Sequence, residues 1–425
     1  MLGTLAPLSI FAIWVMVVEL YTVPKLLTVF LIEPVDFHIY RLAGEALNHG
    51  RNLYSGDFLP GLPFTYPPFA GTLFRILPLI SPLEGTVIWQ GLNALGLLIV
   101  LWLIYKEFLP ALFLTIGSLG FDAIHGSFFY GQINLILMFL VALDFLPKNR
   151  NRWAGVGVGL AAGLKLTPAF FIIIFIIERR WRAVATTIGT FLLTVLIGWL
   201  FVPDATRFWT WAIKDSSRVG IHTNPGAQSL RSVMERVLHI PQWWLVAVII
   251  VFALVILAIW LAVRRNDMGW AMVLGGLGAC LVSPFSWFHH WVWIIPLFAL
   301  LTRNLSRSNL QQFATTIASF ALLAPHMTYF ASPHTATSLD PNNVWYLGTG
   351  LMIIVGYCVY GIFGLYSRRT ETRRQAEKTD QAVSDTSPQS SHPQPDTTNH
   401  AAETAPAHPS RPEPAAPPSD VLGPY

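Results

Sequence analysis

Long apolar runs alternate with short polar segments along most of this 425-residue chain. The hydrocarbon core of a bilayer is about 30 Å thick, so a crossing α-helix needs about 20 apolar residues. The runs therefore predict an all-α polytopic membrane protein with about 12 transmembrane helices. We place these helices at 8–30, 86–105, 110–121, 131–147, 153–165, 168–178, 183–202, 242–262, 268–282, 290–301, 310–327 and 343–366.

One of these runs is interrupted. Basic residues flank both ends of 153–178, although about 25 residues are too few to cross a bilayer twice as full helices. The break falls at Leu166-Thr167-Pro168, so we predict a hairpin of two half-length helices with Lys165 at its tip. Such a backbone is tolerated in a membrane only where it is buried in protein or lines a cavity.

Basic residues set the predicted orientation, because short loops rich in Lys and Arg are cytoplasmic. The clusters are Lys148, Arg150 and Arg152; Arg179, Arg180 and Arg182; Arg264 and Arg265; Arg303 and Arg307; Arg368 and Arg369. Segments 31–85 and 203–241 then become the first and second large extracytoplasmic loops. Smaller outer loops are predicted near 122–130, 283–289 and 328–342.

Two segments differ from this pattern. The stretch 68–80 is apolar but too short to cross, and we expect it to form an interfacial helix on the outer surface. After about residue 370 the chain becomes rich in Pro, Ser, Thr, Ala and Gln. The sequence thus predicts a transmembrane catalytic domain over 1–370 and a disordered, Pro-rich cytoplasmic tail over 371–425.

Composition narrows the possible functions. The chain is 53% hydrophobic and 12% charged, with a mean hydropathy of +0.52, which excludes an ordinary soluble protein. The net charge of +4 is modest, and no basic stripe indicates a nucleic-acid partner. Cys280 and Cys358 lie inside predicted spans, where they do not suit a zinc site. No Asp-x-Asp, Walker, His-Glu-x-x-His or Gly-x-Ser-x-Gly motif occurs in a segment where it could serve metal or nucleotide chemistry. We therefore predict no metal site and no cofactor.

Asp36 is the candidate catalytic residue. It follows the first predicted span, where a carboxylate in a cleft can accept the proton of an attacking sugar hydroxyl. Considered alone, it is better explained as an interfacial residue that caps a loop helix. Glu33, Glu45 and Asp57 lie near enough in the sequence to compete for the same role.

Lys165 is the most informative cation, since an ionisable residue within apolar sequence is costly in a membrane and by default indicates function. A phosphate-bearing donor gives it a partner, although snorkelling to the interface is the alternative. The amides of Gln132 and Asn134, at a predicted helix start, can bind a sugar hydroxyl or a phosphate oxygen or can simply cap the helix. Tyr66, before a pair of prolines, is a weaker candidate of the same kind.

Further candidates for binding the donor come later in the chain. Arg231 can contact a phosphate with both ends of its guanidinium group, and Gln228 and Ser229 can bond hydroxyls, although a helix start explains them equally well. His289 and His290 are adjacent and must point in different directions, so they do not both bind one metal ion. We expect one of them to contact a phosphate and the other to pack.

These features, in this order, resemble glycosyltransferase family 87 of the GT-C superfamily, over roughly residues 8–366. The blocks that carry the resemblance are Asp36, Tyr66-Pro67-Pro68, Gly131-Gln132-Ile133-Asn134, Lys165-Leu166-Thr167-Pro168, Gln228-Ser229-Leu230-Arg231 and Ser286-Trp287-Phe288-His289-His290-Trp291. Within the family the chain is similar to actinobacterial α-1,2-mannosyltransferases of phosphatidylinositol mannoside and lipomannan assembly.

The resemblance implies a GT-C fold and inverting transfer of mannose from polyprenyl-phosphate-mannose to a mannosylated glycolipid. It implies an active site on the outer face of the plasma membrane, with Asp36 as the base and no metal. Lys165, Arg231 and one of the two histidines would hold the donor phosphate.

Two other functions stay open at this point. Arabinofuranosyltransferases of the same family carry an Asp-Asp pair where this chain has a lone Asp36, which favours mannose over arabinose. A transporter or flippase for a lipid-linked sugar would also have many spans and a broken helix, but it should show an internal repeat. We find no repeat in the sequence.

Overall fold

The computed structural model describes residues 2–21, 31–147, 153–303, 308–327 and 340–385. The chain divides into two compact units, Met1–Ser367 and Arg368–Tyr425. The described part of the second unit is helical and ends at Asp385, so the chain is helical for some way beyond the tail boundary predicted at residue 370. Most of the predicted tail and of the loop at 328–342 lies outside the described residues.

Helices make up most of the described chain. They are α1 (Leu2–Tyr21), α2 (Val35–Asn48), α3 (Pro68–Phe74), α4 (Pro82–Tyr105), α5 (Phe108–Gly117), α6 (Asp122–Tyr130), α7 (Asn134–Phe145), α8 (Val156–Leu164), α9 (Ile172–Ile177), α10 (Trp181–Phe201), α11 (Ala205–Thr210), α12 (Leu230–Arg236), α13 (Trp244–Arg264), α14 (Met268–Val282), α15 (Ile294–Thr302), α16 (Asn309–Leu323) and α17 (Trp345–Asp385). The prediction of an all-α protein misses one small feature, an antiparallel hairpin of β1 (Asp57–Leu59) and β2 (Leu62–Pro63) in the first large loop.

Several helices are suited to a membrane. Within the described residues, four are long and apolar enough to cross one: Pro82–Tyr105, Trp181–Phe201, Pro241–Arg264 and Trp345–Ser367. A fifth span is possible if the bent pair α6 and α7 is one crossing, and further apolar helices of 10–17 residues accompany them. The chain is therefore a helical membrane protein, but this length criterion does not confirm the predicted number of about 12 full spans.

The outward faces of these helices are apolar. On α13 the side chains of Leu245, Ile249 and Ile250 are each more than half exposed, and α10 likewise exposes Leu192 and Leu200. A soluble protein rarely leaves so large a continuous apolar surface in water, because burying it is favourable. We conclude that these surfaces face lipid.

The prediction of a loop at 122–130 was wrong, because these residues form α6. Gly131 lies between α6 and α7 with φ of +71°, and the two helices meet at an angle of 116°. Polar residues such as His125 and Ser127 make this segment resemble a loop in the sequence. In the structure one face of the helix, including Ile124 and Phe128, is buried.

The predicted break in 153–178 is confirmed. Helix α8 ends at Leu164, Lys165 is extended with φ −152° and ψ 131°, and a 3₁₀ turn over Thr167–Phe171 leads into α9. Proline fits the first turn of a helix but interrupts its interior, which explains why the chain restarts at Pro168. Lys165 therefore lies on irregular backbone between two short helices.

The two large predicted loops are tied together at their bases. Both oxygens of the Asp204 carboxylate accept hydrogen bonds from the first loop, from the backbone N–H groups of Leu53 at 2.9 Å and Tyr54 at 2.7 Å. At the end of α10, Gly198 lies directly against Pro68 at the start of α3. These contacts hold the segments around 62–67 and 205–219 beside one another.

Candidate functional site

A cavity of about 480 Å³ is enclosed by segments that begin or end helices. Its walls come from the start of α2, residues 62–67, the end of α6 and the residues after it, the turn at 165–167, residues 208–219 and residues 283–290. Irregular backbone at membrane depth needs such a polar or protein-lined surrounding. The sequence-predicted residues that line the cavity are Asp36, Tyr66, Gln132, Lys165, His289 and His290.

Asp36 stands in the first turn of α2 and is the only one of the four competing carboxylates that lines this cavity. Glu33 instead pairs with Arg41 at 2.9 Å, while Glu45 and Asp57 are exposed. Asp36 is partly buried, and its Oδ2 accepts a short hydrogen bond from the Gln132 amide. The structure thus separates Asp36 from its competitors.

A chain of hydrogen bonds holds the Gln132 amide in place. Tyr66 donates its hydroxyl to Gln132 Oε1 at 3.1 Å, and its oxygen lies 2.6 Å from the Tyr40 hydroxyl. Tyr54 in turn donates to the backbone carbonyl of Tyr66 at 2.8 Å. Since buried hydrogen-bonded networks restrict side-chain rotation, Tyr66 supports Gln132 and Gln132 orients Asp36.

Gly131 permits this approach of two distant segments. Its φ of +71° is a left-handed conformation that favours glycine, and a Cβ there would lie 2.8 Å from Pro34 Cβ and 2.9 Å from Phe37 Cβ. A side chain at this position would push the residues before Gln132 away from the start of α2. Glycine therefore brings the amide within reach of Asp36.

The surroundings of Asp36 suit a base. Burial raises the pKa of Asp36 to about 6, while the hydrogen bond from Gln132 and the positive charge of Lys165 act in the opposite direction. A group with a pKa just below neutral is mostly ionised at pH 7 and still accepts a proton readily. Asp215 also lines the cavity, but its Oδ1 accepts hydrogen bonds from the backbone and hydroxyl of Ser217.

Lys165 approaches the cavity from the broken helix. Its ammonium group donates to Asn134 Oδ1 at 3.0 Å and lies 3.1 Å from His290 Nε2, with the Tyr66 ring centre 5.4 Å away. His290 Nδ1 already accepts from the Trp287 backbone N–H at 3.2 Å. A neutral imidazole has one acceptor nitrogen, so it cannot accept from both groups. Lys165 therefore keeps N–H donors that an anion in the cavity can use.

The two adjacent histidines point in different directions, as expected, and their ring planes meet at 79°. The side chain of His289 is buried, at 4% exposure, yet neither ring nitrogen has a hydrogen-bond partner among the described residues. Buried polar groups are normally paired. Because His289 lines the cavity, its ring nitrogens are available to a molecule that enters there.

Asn134 lies just outside the cavity wall. Its amide donates to the His289 carbonyl at 2.9 Å and its oxygen accepts from Lys165. It therefore connects α7 to the histidine turn and orients the lysine. In the described part of the chain, no group of three or more His, Cys, Asp or Glu side chains is arranged to hold a metal ion.

Three predicted donor-binding residues lie elsewhere. The Arg231 guanidinium packs 4.8 Å from the ring centre of Trp244, and Arg231 does not line the cavity. Ser229 caps α12 by accepting from the Ser232 backbone N–H at 3.2 Å, and buried Gln228 donates to the Pro225 carbonyl at 2.7 Å. The helix start thus accounts for Ser229, whereas Gln228 Oε1 is buried and has no hydrogen-bond partner among the described residues.

The sequence did not identify Arg218, which lines the cavity. It also did not identify Tyr40, whose hydroxyl forms a hydrogen bond with the Tyr66 hydroxyl. Arg218 belongs to the polar stretch 214–218, which looks like any exposed loop. Only the packing of that loop over the cavity distinguishes it.

The sequence and structure together define a helical membrane protein with a cavity lined by both apolar and charged side chains, and comparison with known proteins specifies the class. The family model for glycosyltransferase family 87 matches residues 64–284. The chain belongs to this family.

Relatives of 29–33% identity are mannosyltransferases from mycobacteria. The polyprenol-phosphate-mannose-dependent alpha-(1-2)-phosphatidylinositol pentamannoside mannosyltransferase of Mycolicibacterium smegmatis is 32% identical over 349 residues, which cover 76% of this chain and 82% of the relative. The corresponding phosphatidylinositol mannoside mannosyltransferase of the same species is 29% identical over 390 residues, covering 82% and 88%.

A more distant relative is the alpha-(1->3)-arabinofuranosyltransferase of Mycolicibacterium smegmatis. It is 23% identical over 367 residues, covering 79% of this chain and 80% of the relative. No solved structure matches the chain.

Replacing Gln132 by Leu should shift the pH dependence of the enzyme. The amide donates to the Asp36 carboxylate and lowers its pKa, so its loss raises that pKa. A hydrogen bond to a charged group contributes about 1.5–3 kcal/mol, and one pKa unit is 1.36 kcal/mol. We therefore expect the acidic limb of the kcat/KM profile to move up by about one to two pH units.

The Tyr66→Phe variant is the matched control for this experiment. It keeps the amide that contacts Asp36 and removes only the hydroxyl behind it, so its profile should shift less. Identical profiles for the wild type and Gln132→Leu would contradict the role of Gln132.

Proposed function

We propose that this chain transfers mannose from polyprenol-phosphate-mannose to a phosphatidylinositol mannoside and forms an α-(1-2) linkage. The names of the 29–33% identical relatives support this donor, linkage and acceptor class. The observation that carries the proposal is the presence in one cavity of an oriented carboxylate, Asp36, and a lysine with open donors, Lys165.

The chemistry assigns a different task to each group. Asp36 takes the proton of an acceptor mannose hydroxyl, and that oxygen attacks the anomeric carbon of the donor. The bond from this carbon to the phosphate oxygen breaks, and polyprenyl phosphate leaves with the electron pair. Attack from the opposite face converts a β-linked donor to an α-linked product. One carboxylate suffices, because a phosphate leaves without being protonated.

Lys165 stabilises the negative charge that develops on the departing phosphate. Preorganised donors aimed at developing charge provide a large share of catalysis in many enzymes. His289, with two free ring nitrogens, supplies a further contact to the donor or to the sugar. Asn134 holds the lysine, and Tyr66 and Gln132 hold the base. In this scheme Arg231, Gln228 and Ser229 support the fold.

The proposal includes a GT-C fold with about 12 transmembrane helices, several of them short. The positive-inside pattern supports an active site on the extracytoplasmic face of the plasma membrane and a cytoplasmic tail after residue 370. The polyprenyl chain lies in the bilayer, and the phosphate with its mannose enters the cavity.

Isolated membranes test this function directly. Membranes that contain the enzyme are given a phosphatidylinositol mannoside and either labelled polyprenyl-phosphate-mannose or labelled polyprenyl-phosphate-arabinose. We expect label in the glycolipid only from the mannose donor, and its release by an α-1,2-specific mannosidase. Transfer from the arabinose donor alone would favour the more distant arabinofuranosyl relative instead. Movement of a lipid-linked sugar across the membrane without transfer would indicate a transporter.

The pH dependence gives an independent test of the base. With a pKa of about 6, Asp36 is ionised above that pH and becomes protonated as the pH falls through it. The value of kcat/KM should be level near pH 7 and should fall about tenfold per pH unit well below pH 6. An unchanged rate down to pH 4.5 would exclude a base with this pKa.

A further inference from the structure

The segment between α11 and α12 adds a second cation to the cavity. It contains the 3₁₀ turns Ala212–Lys214 and Ser216–Arg218. Arg218 donates to the Phe64 carbonyl at 3.3 Å, and the Trp287 indole donates to the Val219 carbonyl at 3.1 Å. The segment therefore bridges two walls of the cavity and places Arg218 on its lining.

The Arg218 guanidinium has capacity to bind an anion. Arginine has five N–H donors in a planar arrangement that matches a phosphate, and the Phe64 carbonyl uses one of them. No carboxylate of the described residues forms an ion pair with Arg218. Asp215 and Asp57 act on Arg218 electrostatically, but the hydrogen bonds that they accept come from Ser217 and, at 3.1 Å, from Gly61.

Arg218 is separate from the site of Lys165. Its other contact is the ring of Trp211, whose centre lies 4.9 Å from the guanidinium carbon. Lys165 instead lies against Asn134, His290 and the Tyr66 ring. The cavity therefore presents positive charge at two distinct places.

The proposed reaction also involves two anions. The donor phosphate must lie near Asp36, because it is bonded to the anomeric carbon that the acceptor hydroxyl attacks. Lys165 is the cation suited to this phosphate, since its charge acts on Asp36. The phosphodiester of the acceptor lies at the inositol, away from the terminal mannose that reacts. A cation that recognises it must therefore stand apart from the base, and the positive charge that acts on Asp36 is that of Lys165 and not that of Arg218.

We propose that Arg218 binds the phosphodiester of the acceptor glycolipid and selects anionic acceptors, an inference that rests on the proposed mannosyl transfer. The contact is a charge-assisted hydrogen bond from the guanidinium N–H groups to the phosphate oxygens. Trp211 holds the guanidinium plane in a fixed orientation. Arg218 is thus a determinant of acceptor specificity and takes no part in proton transfer.

Two acceptors and a matched pair of variants test this role. One acceptor is a phosphatidylinositol mannoside, and the other is a synthetic dialkylglycerol mannoside with the same terminal mannose and no phosphate. Arg218→Gln should lower the ratio of kcat/KM for the anionic over the neutral acceptor about 10- to 100-fold, as expected for a hydrogen bond to a charged group. Arg218→Lys, which keeps the charge, should restore part of this preference.

Arg207→Gln is the control. The Arg207 guanidinium carbon also lies 4.9 Å from the Trp211 ring centre, but Arg207 is exposed and does not line the cavity. This variant should keep the acceptor preference of the wild type.

The possible results separate the two proposals. A loss in Arg218→Gln that is equal for both acceptors, or a rise in the KM for the donor alone, would overturn the role of Arg218 in acceptor binding. An equal fall in preference in both Gln variants would also overturn it. A wild-type enzyme that transfers mannose to neither acceptor would instead contradict the proposed function.

Discussion

Replacing Asp36 by Asn should leave a folded protein that has lost nearly all transfer activity. The amide keeps the size of the side chain and can still contact Gln132, but it cannot accept the proton of the acceptor hydroxyl. Loss of a general base costs about 10²–10⁴ in rate, and we expect kcat to fall by about this factor. The measurement is the initial rate of transfer from labelled polyprenyl-phosphate-mannose, normalised to the amount of purified enzyme.

The control for this variant is Glu45→Gln. Glu45 lies on the same helix, α2, and its exposed carboxylate does not line the cavity. The same carboxylate-to-amide change should leave kcat close to that of the wild type. Asp36→Asn should also bind polyprenyl phosphate as a product inhibitor with little change in Ki, since the phosphate contacts remain. Wild-type turnover in Asp36→Asn would reject the assignment of the base.

Replacing Lys165 by Met should have the next largest effect. Methionine fills a similar space without a charge, so the departing phosphate loses a partly buried donor. Removing one preorganised donor typically costs about 10²–10³ in kcat, and we expect a loss of that size in kcat/KM for the donor. The Ki for polyprenyl phosphate should rise in the same variant, in contrast to Asp36→Asn.

The Lys165→Met variant also has an expected effect on pH dependence. The positive charge of Lys165 lowers the pKa of Asp36, so its removal raises that pKa and moves the acidic limb upward. Lys214→Met is the control, because Lys214 is exposed and does not line the cavity. A Lys165→Met enzyme with an unchanged Ki and unchanged pH profile would show that the lysine serves only the fold.

The sequence predicted the elements better than their lengths. The runs that predicted spans at 86–105, 183–202 and 242–262 correspond to long helices. A continuous apolar run can be recognised from the sequence alone, because it does not depend on distant residues. The helix at 122–130 was missed, since it buries one face behind polar residues and turns by 116° into the next helix. That angle depends on a single glycine conformation and on the packing around it.

The candidate site was predicted in part. Asp36, Lys165 and the two histidines come together in one cavity, whereas Arg231 packs on Trp244. The blocks show which residue types are present, but they do not show which way each side chain faces. An arginine that starts a helix and an arginine that lines a cavity look the same in the sequence.

The sequence by itself determined that this is a membrane protein, where its interrupted helix breaks and which family it resembles. These properties follow from apolar runs, from proline geometry and from short motifs. Each of these signals involves only residues that are close together in the chain. The tertiary structure decided which polar groups meet. Asp36 and Gln132 are 96 positions apart and Lys165 and His290 are 125 apart. Helix packing alone brings such residues into contact, so packing placed Asp36 and not its competitors on the cavity lining and brought Arg218 there.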